Sequence, residues 1–286
     1  MGSMAALRTN PARRKQECRC YTSRLTGAHP GGAKIAEVMR HAWSRLVRKQ
    51  WLIFYPLSLA VINAIAFLAV YAASGRALRW SEFFTANFDR WQYARDRLLP
   101  GFAFTPALAT AVFAGLAVCG LTAMIRAPLF RAIVGPDYPL APRRWREAAR
   151  LSLFYVFANL VLWVLPLAVP TGGVVEQLVA VLALVVAILI AFADYVIVFE
   201  DSAFLPALRR SVRLLRRRWV TVVVIFTVMQ LVYSGLHHLY DLYYQGADGV
   251  SILLPLSQIL VESFVTLLVD LVLIFLYEQI SRERLA

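Results

Sequence analysis

Long apolar runs alternate along this chain with short basic segments, and that alternation predicts its elements. The runs fall at about residues 51–73, 101–125, 151–169, 174–199, 220–239 and 252–280. Each is close to the 20 or so apolar residues needed to cross the hydrocarbon of a bilayer. A different pattern precedes some of them. At 202–219, helical spacing puts Phe204, Leu208, Val212, Leu215 and Trp219 on one side, with Arg209, Arg210, Arg213, Arg216 and Arg217 mostly on the other. A first helix at 34–50 does the same, setting Ile35, Val38, Met39, Ala42, Leu46 and Val47 against Arg40, Arg45, Arg48 and Lys49. Such two-faced basic helices lie in the plane of a membrane surface. The expected fold is therefore an all-α integral membrane protein of about six transmembrane helices, with basic amphipathic helices on the cytoplasmic side.

Between these elements, residues 1–33 read as a disordered basic tail and 281–286 as a short cytoplasmic tail, flanking a membrane domain at 34–280. Without an apolar core in the first 30 residues, no secretory signal peptide is expected. Residues 74–100 read as an external loop with a short interfacial helix carrying Phe83, Phe84 and Phe88. A basic segment at 126–150, broken by Pro128, Pro136, Pro139 and Pro142, reads as a cytoplasmic connection whose second half starts a helix. Pro170 and Gly172–Gly173 mark a tight external turn.

Charge sets the orientation. Eleven Lys and Arg precede the first span and six lie in each of the second and fourth connections, whereas the third and fifth have none. The positive-inside rule then places both termini in the cytoplasm and favours an even number of spans. The layout also suggests three units, 35–125, 139–199 and 202–280, each a basic helix followed by a helical hairpin. Arg45-Leu-Val-Arg-Lys-Gln-Trp51 in the first echoes Arg213-Leu-Leu-Arg-Arg-Arg-Trp219 in the third.

Composition supports the membrane reading: 60% hydrophobic residues, 16% charged and a mean hydropathy of +0.62, against about half and a quarter in soluble domains. The net charge of +13 does not indicate nucleic acid, because the arginines gather beside apolar runs and no soluble basic module is present. Basic clusters placed there attract anionic headgroups. Cys18, Cys20 and Cys119 form neither a disulfide framework nor a zinc spacing.

The segment Ala193-Asp-Tyr-Val-Ile-Val-Phe-Glu-Asp201, followed by Leu205-Pro-Ala-Leu-Arg-Arg-Ser-Val-Arg-Leu-Leu-Arg-Arg-Arg-Trp219, resembles bacterial six-span proteins related to the membrane domain attached to some glycerophosphodiester phosphodiesterases. The shared pattern is a span ending in Tyr-x-x-Val-x-Glu-Asp, then an amphipathic helix with Ser and several basic residues, then an aromatic start to the next span. The resemblance covers about a third of the chain. With its length taken up by spans, the chain leaves no stretch for the soluble phosphodiesterase barrel. The resemblance thus implies an architecture and not that activity.

The side chains that could carry chemistry are acids inside predicted spans: Asp194, Glu262 and Asp270. A carboxylate in hydrocarbon costs at least a few kcal/mol, so it marks either function or a buried partner. Asp270 follows Glu262 by eight residues, about 12 Å along the helix on roughly the same face, and Asp194 falls at a depth similar to Asp270. In one reading the three line a crevice as protonatable groups of a carrier. In the other they are structural, Asp194 pairing with an Arg of the following helix and Asp270 hydrogen-bonding Asn63, Asn159 or Gln230. His237, His238 and Asp241 have a metal-like spacing but no second motif, and an interfacial cluster with Tyr240, Tyr243 and Tyr244 is the plainer account. Hydrolase, phosphate-loop and dinucleotide signatures are absent. The expected function is a non-enzymatic, lipid-interacting scaffold or accessory protein of the cell's inner (plasma) membrane. Arg45, Arg48, Lys49, Arg209, Arg210, Arg213, Arg216 and Arg217 would meet anionic lipid or a membrane-protein partner, a second copy included. The alternative is a proton-coupled carrier using Asp194, Glu262 and Asp270. Neither reading calls for a cofactor, a metal or nucleic acid.

Overall fold

The computed structural model describes residues 35–76, 105–134, 144–164, 173–246 and 253–282. The chain divides into a first unit, Met1–Lys34, which lies outside the described residues, and a second, Ile35–Ala286. Also outside them are the aromatic helix expected near Phe83, Phe84 and Phe88, residues 170–172 of the external turn, and the side chains of Arg217, His237, Asp241 and Tyr244.

The described residues are all helix and connection, with no strand. They form eight α-helices: α1 (Ile35–Arg48), α2 (Phe54–Ala73), α3 (Pro106–Val134), α4 (Arg144–Asn159), α5 (Val174–Ile190), α6 (Ala193–Phe199), α7 (Phe204–Gly246) and α8 (Leu253–Arg282). Five stretches among the described residues are long and apolar enough to cross a membrane: Gln50–Ala73, Pro106–Val134, Gln177–Phe199, Arg218–Tyr240 and Leu256–Ser281. Phe113, Leu178, Ile65 and Leu231 are among the many large apolar side chains left exposed on them. In water so much apolar surface would drive association, whereas lipid tails solvate it at no cost. The chain is a multi-pass membrane protein. Of the predicted third span, α4 and the π-helical turn Leu160–Val164 supply the first part, and residues 165–169 lie outside the described residues.

Two predicted boundaries changed. The second span was expected to stop at residue 125, where Arg126 and Pro128 open a basic segment. Instead α3 continues through both to Val134. Pro128 removes one backbone donor from the ladder, but Arg126 and Arg131 on this extension each find a buried acid, and those contacts hold the helix together. The fourth span is divided: α5 ends at Ile190 and α6 begins at Ala193. Backbone groups freed inside a membrane must find partners within the protein. Ser211 of α7, fully buried, supplies both, accepting from the Phe192 N–H at 3.1 Å and donating to the Leu189 carbonyl at 2.8 Å.

The expected division of α7 into a basic helix and a span appears as a kink at Arg218 (φ −139°, ψ 33°). At the matching heptapeptide near the start, Lys49 (φ −126°, ψ 54°) interrupts the helix, and a 3₁₀ turn at Gln50–Ile53 leads into α2. The two segments also agree in burial: Leu46 and Leu214 face inward, Trp51 and Trp219 outward. In the middle unit α4 runs without such a break from Arg144 to Asn159, so the likeness joins only the first and third.

α8 packs on α1, α2 and α7, while α6 packs on α3, α4 and α7. Leu271–Ile274 of α8 and Ala193–Val198 of α6 are buried without interruption. A helix enclosed on all sides lies at the centre of its bundle. Both intramembrane aspartates stand on these two central elements.

Candidate functional site

The site forms where α3, α4, α6 and α8 meet. Arg126 of α3 points its guanidinium between Asp270 of α8 and Asp194 of α6. Its Nη2 hydrogen-bonds Asp270 Oδ1 and stands 3.8 Å from Asp194 Oδ2. Two tyrosines complete the cluster. The Tyr195 hydroxyl donates to Asp270 Oδ1 at 3.3 Å, and the Tyr155 hydroxyl to Asp194 Oδ2 at 3.4 Å. Asp194 Oδ1 accepts the backbone N–H of Tyr195 at 2.9 Å, an orphan donor of the first turn of α6. Aromatic faces pack against the cation: Arg126 lies 5.0 Å from the Phe130 ring centroid and 5.8 Å from that of Tyr155. Phe130 in turn meets Tyr195 edge to face at 4.8 Å.

The helices dictate this convergence. Phe130 is one turn after Arg126 in α3, so the ring lies beside the guanidinium on the same face. Asp194 and Tyr195 are adjacent in α6 and diverge to two partners, and the enclosure of α6 on all sides allows both to be used. A charge in this environment is tolerated only when paired and hydrogen-bonded. The Arg126 Nε makes no hydrogen bond.

A polar layer continues toward the ends of α6 and α8. The Tyr277 hydroxyl donates to Glu200 Oε1 at 3.0 Å, and Arg210 Nε reaches the same oxygen at 3.2 Å. Arg150 Nη1 donates to Asp201 through both its carbonyl (3.0 Å) and its carboxylate (3.1 Å). Asp201 has φ +52°, in the left-handed region where Asp is tolerated better than most residues, and the Arg150 clamp holds that turn between α6 and α7. A second buried ion pair, Arg131 with Glu147, ties α3 to α4.

The predicted site residues divide accordingly. Asp194 and Asp270 come together, but their partner is Arg126, not an Arg of the following helix and not Asn63, Asn159 or Gln230. Asn63 donates to the Leu59 carbonyl, and Asn159 to the Tyr155 carbonyl and Cys119. Glu262 stands apart, accepting from Gln258 one turn away in α8 at 3.1 Å. Among the basic residues, Arg48, Arg209, Arg213 and Arg216 are exposed and Arg45 half-buried. Lys49 and Arg210 are engaged within the protein. The Lys49 amine donates to the Ala132 carbonyl at 2.6 Å, near the C-terminus of α3, and burial, with Arg45 adding to it, lowers its pKa. His238 is exposed, the Tyr240 hydroxyl pairs with Ser257 at 3.2 Å, and no group of three metal-binding side chains occurs among the described residues.

Sequence reasoning missed Arg126 and the two tyrosines. A signal was present: Arg126 directly ends an apolar run whose length would allow one or two more helical turns. A basic residue there reads equally well as the start of a loop.

No family model, curated protein or solved structure matches this chain.

Proposed function

We propose that this is a non-enzymatic, lipid-interacting scaffold or accessory protein of the inner (plasma) membrane, with six spans and both termini cytoplasmic. On this reading it is a stand-alone relative of the six-span domain that it resembles. The observation that carries it is the fixed presentation of Arg209, Arg213 and Arg216. All three are exposed, and none makes an ion pair among the described residues. The opposite side of the same helix is anchored by Ala207, Ser211 and Leu214, all buried. Exposed Trp43, Trp51, Trp145 and Trp219 each lie within three residues of a Lys or Arg, and tryptophans so placed mark a membrane interface. Basic side chains at that level attract anionic headgroups by about 1 kcal/mol each.

Replacing Arg209, Arg213 and Arg216 together by Gln is expected to weaken binding of phosphatidylglycerol by about 3 kcal/mol, on the order of 100-fold. Native mass spectrometry of the purified full chain, titrated with phosphatidylglycerol and phosphatidylcholine, reads this directly. Equal retention of the anionic lipid by both proteins would sink the lipid reading.

A second reading, a proton-coupled carrier of a small solute or lipid, is favoured by the meeting of Asp194 and Asp270 at one guanidinium. Intramembrane acids facing a bundle interior are the usual parts of proton relays. Its test is proton flux into proteoliposomes in the presence of candidate solutes. Asp270→Asn is expected to abolish flux in a chain that still folds, and absence of wild-type flux with every solute pool counts against a carrier.

A further inference from the structure

We propose that the Arg126–Asp194–Asp270 cluster is a proton-binding site that holds one exchangeable proton, on Asp194 Oδ2. The inference deepens the carrier reading and rests on it only for what the proton would drive.

Charge counting comes first. Two carboxylates meet one guanidinium, which leaves one negative charge in excess. The groups facing the cluster from every packed element are Arg126 of α3, Tyr155 of α4, Asp194 and Tyr195 of α6 and Asp270 of α8. Tyr233 of α7 pairs with Thr266 at 2.6 Å, and Glu262 lies two turns from Asp270 along α8. Among the described residues Arg126 is the one cation acting on either aspartate. An uncompensated charge enclosed by protein and lipid is removed most cheaply by a proton.

Geometry then chooses the acid. Asp270 Oδ1 takes the direct bond from Arg126 and a second from Tyr195, so it is the committed ionic partner. Asp194 Oδ1 is occupied by the Tyr195 N–H. Its Oδ2 stands 3.8 Å from Arg126 and 3.4 Å from the Tyr155 hydroxyl, both long beside the 2.7–2.9 Å or so of a charge-assisted bond. That oxygen has room for a hydrogen. On release its O–H bond breaks and the proton passes to water; on uptake the reverse occurs, and no electrons move. The Arg126 side chain keeps 22% of its surface accessible at the edge of the cluster. Asp194 also lies only six residues, about 9 Å, from exposed Glu200 at the end of α6.

Infrared difference spectroscopy of the full chain in lipid nanodiscs, with ¹³C-labelled aspartate, reads the proton without any transport assay. At neutral pH the wild type is expected to show the isotope-shifted C=O stretch of one protonated Asp carboxyl, lost at alkaline pH. Asp194→Asn and Asp270→Asn should each lose that band, because either restores one acid to one base. Glu262→Gln should keep it. An ionised wild type at neutral pH overturns the proposal, as does a band that survives both Asn variants or vanishes in Glu262→Gln. If either Asn variant does not fold, the wild-type band with its pH dependence and the Glu262→Gln control still decide. A band without flux keeps the proton site and removes the carrier reading.

Discussion

Replacing Arg126 by Gln is expected to destabilise the protein by about 3–5 kcal/mol, the usual loss when one partner of a buried ion pair is removed and the other left behind. The loss falls at the upper end because Asp270 loses its direct ionic partner and Asp194 the cation beside it at the same time. The Phe130 and Tyr155 rings also lose the cation they pack against. Unfolding in detergent followed by circular dichroism, titrated with denaturant, measures the change. The deficit should shrink as the pH falls, since protonating Asp270 in addition to Asp194 removes the charge that Arg126 neutralises. Adding Asp270→Asn to Arg126→Gln should recover part of it. The coupling between the two positions is expected at about 1–3 kcal/mol, as for groups in direct contact. Simple additivity would mean that the guanidinium and the carboxylate do not meet.

The second large effect concerns Arg131 and Glu147, which fasten α3 to α4 and are both buried. Glu147→Leu alone leaves a guanidinium enclosed without its acid and should cost about 3–5 kcal/mol. Combined with Arg131→Met it should return to within about 1–2 kcal/mol of the wild type, because an apolar pair of similar volume avoids the desolvation of both ions. The same unfolding assay reads both proteins. A harmless single variant would place the pair in contact with water and headgroups. The contrast matters for function as well: the pair holds the C-terminal part of α3, and with it the placement of Arg126 five residues earlier.

Hydropathy alone located the spans near their observed positions, as in Gln50–Ala73 for 51–73 and Leu253–Arg282 for 252–280. The division between basic helix and span at the start of the fifth run was also legible, because Arg213 to Arg218 end one amphipathic pattern and Trp219 opens a uniformly apolar one. The end of α3 was not. A local window sees Arg126 and Pro128 as polar or helix-breaking, and it cannot see an aspartate 144 residues away that makes the arginine welcome inside the bundle. The break between α5 and α6 was hidden for a related reason. Ile190 to Ala193 is as apolar as the rest of the run, and only Ser211, contributed by α7, makes an interruption there affordable.

The sequence by itself determined that this chain lives in a membrane and roughly where most of its long apolar helices fall, because each depends on the local match between side chains and the surrounding solvent. It also named two of the three charged residues at the centre. Tertiary structure decided what those residues do to one another. Asp194 and Asp270 share one guanidinium, Glu262 stands outside, and Lys49 and Arg210 turn inward while Arg209, Arg213 and Arg216 stay exposed. Charges act through a few ångströms of space, and which residues come that close is set by helix packing, not by their spacing along the chain.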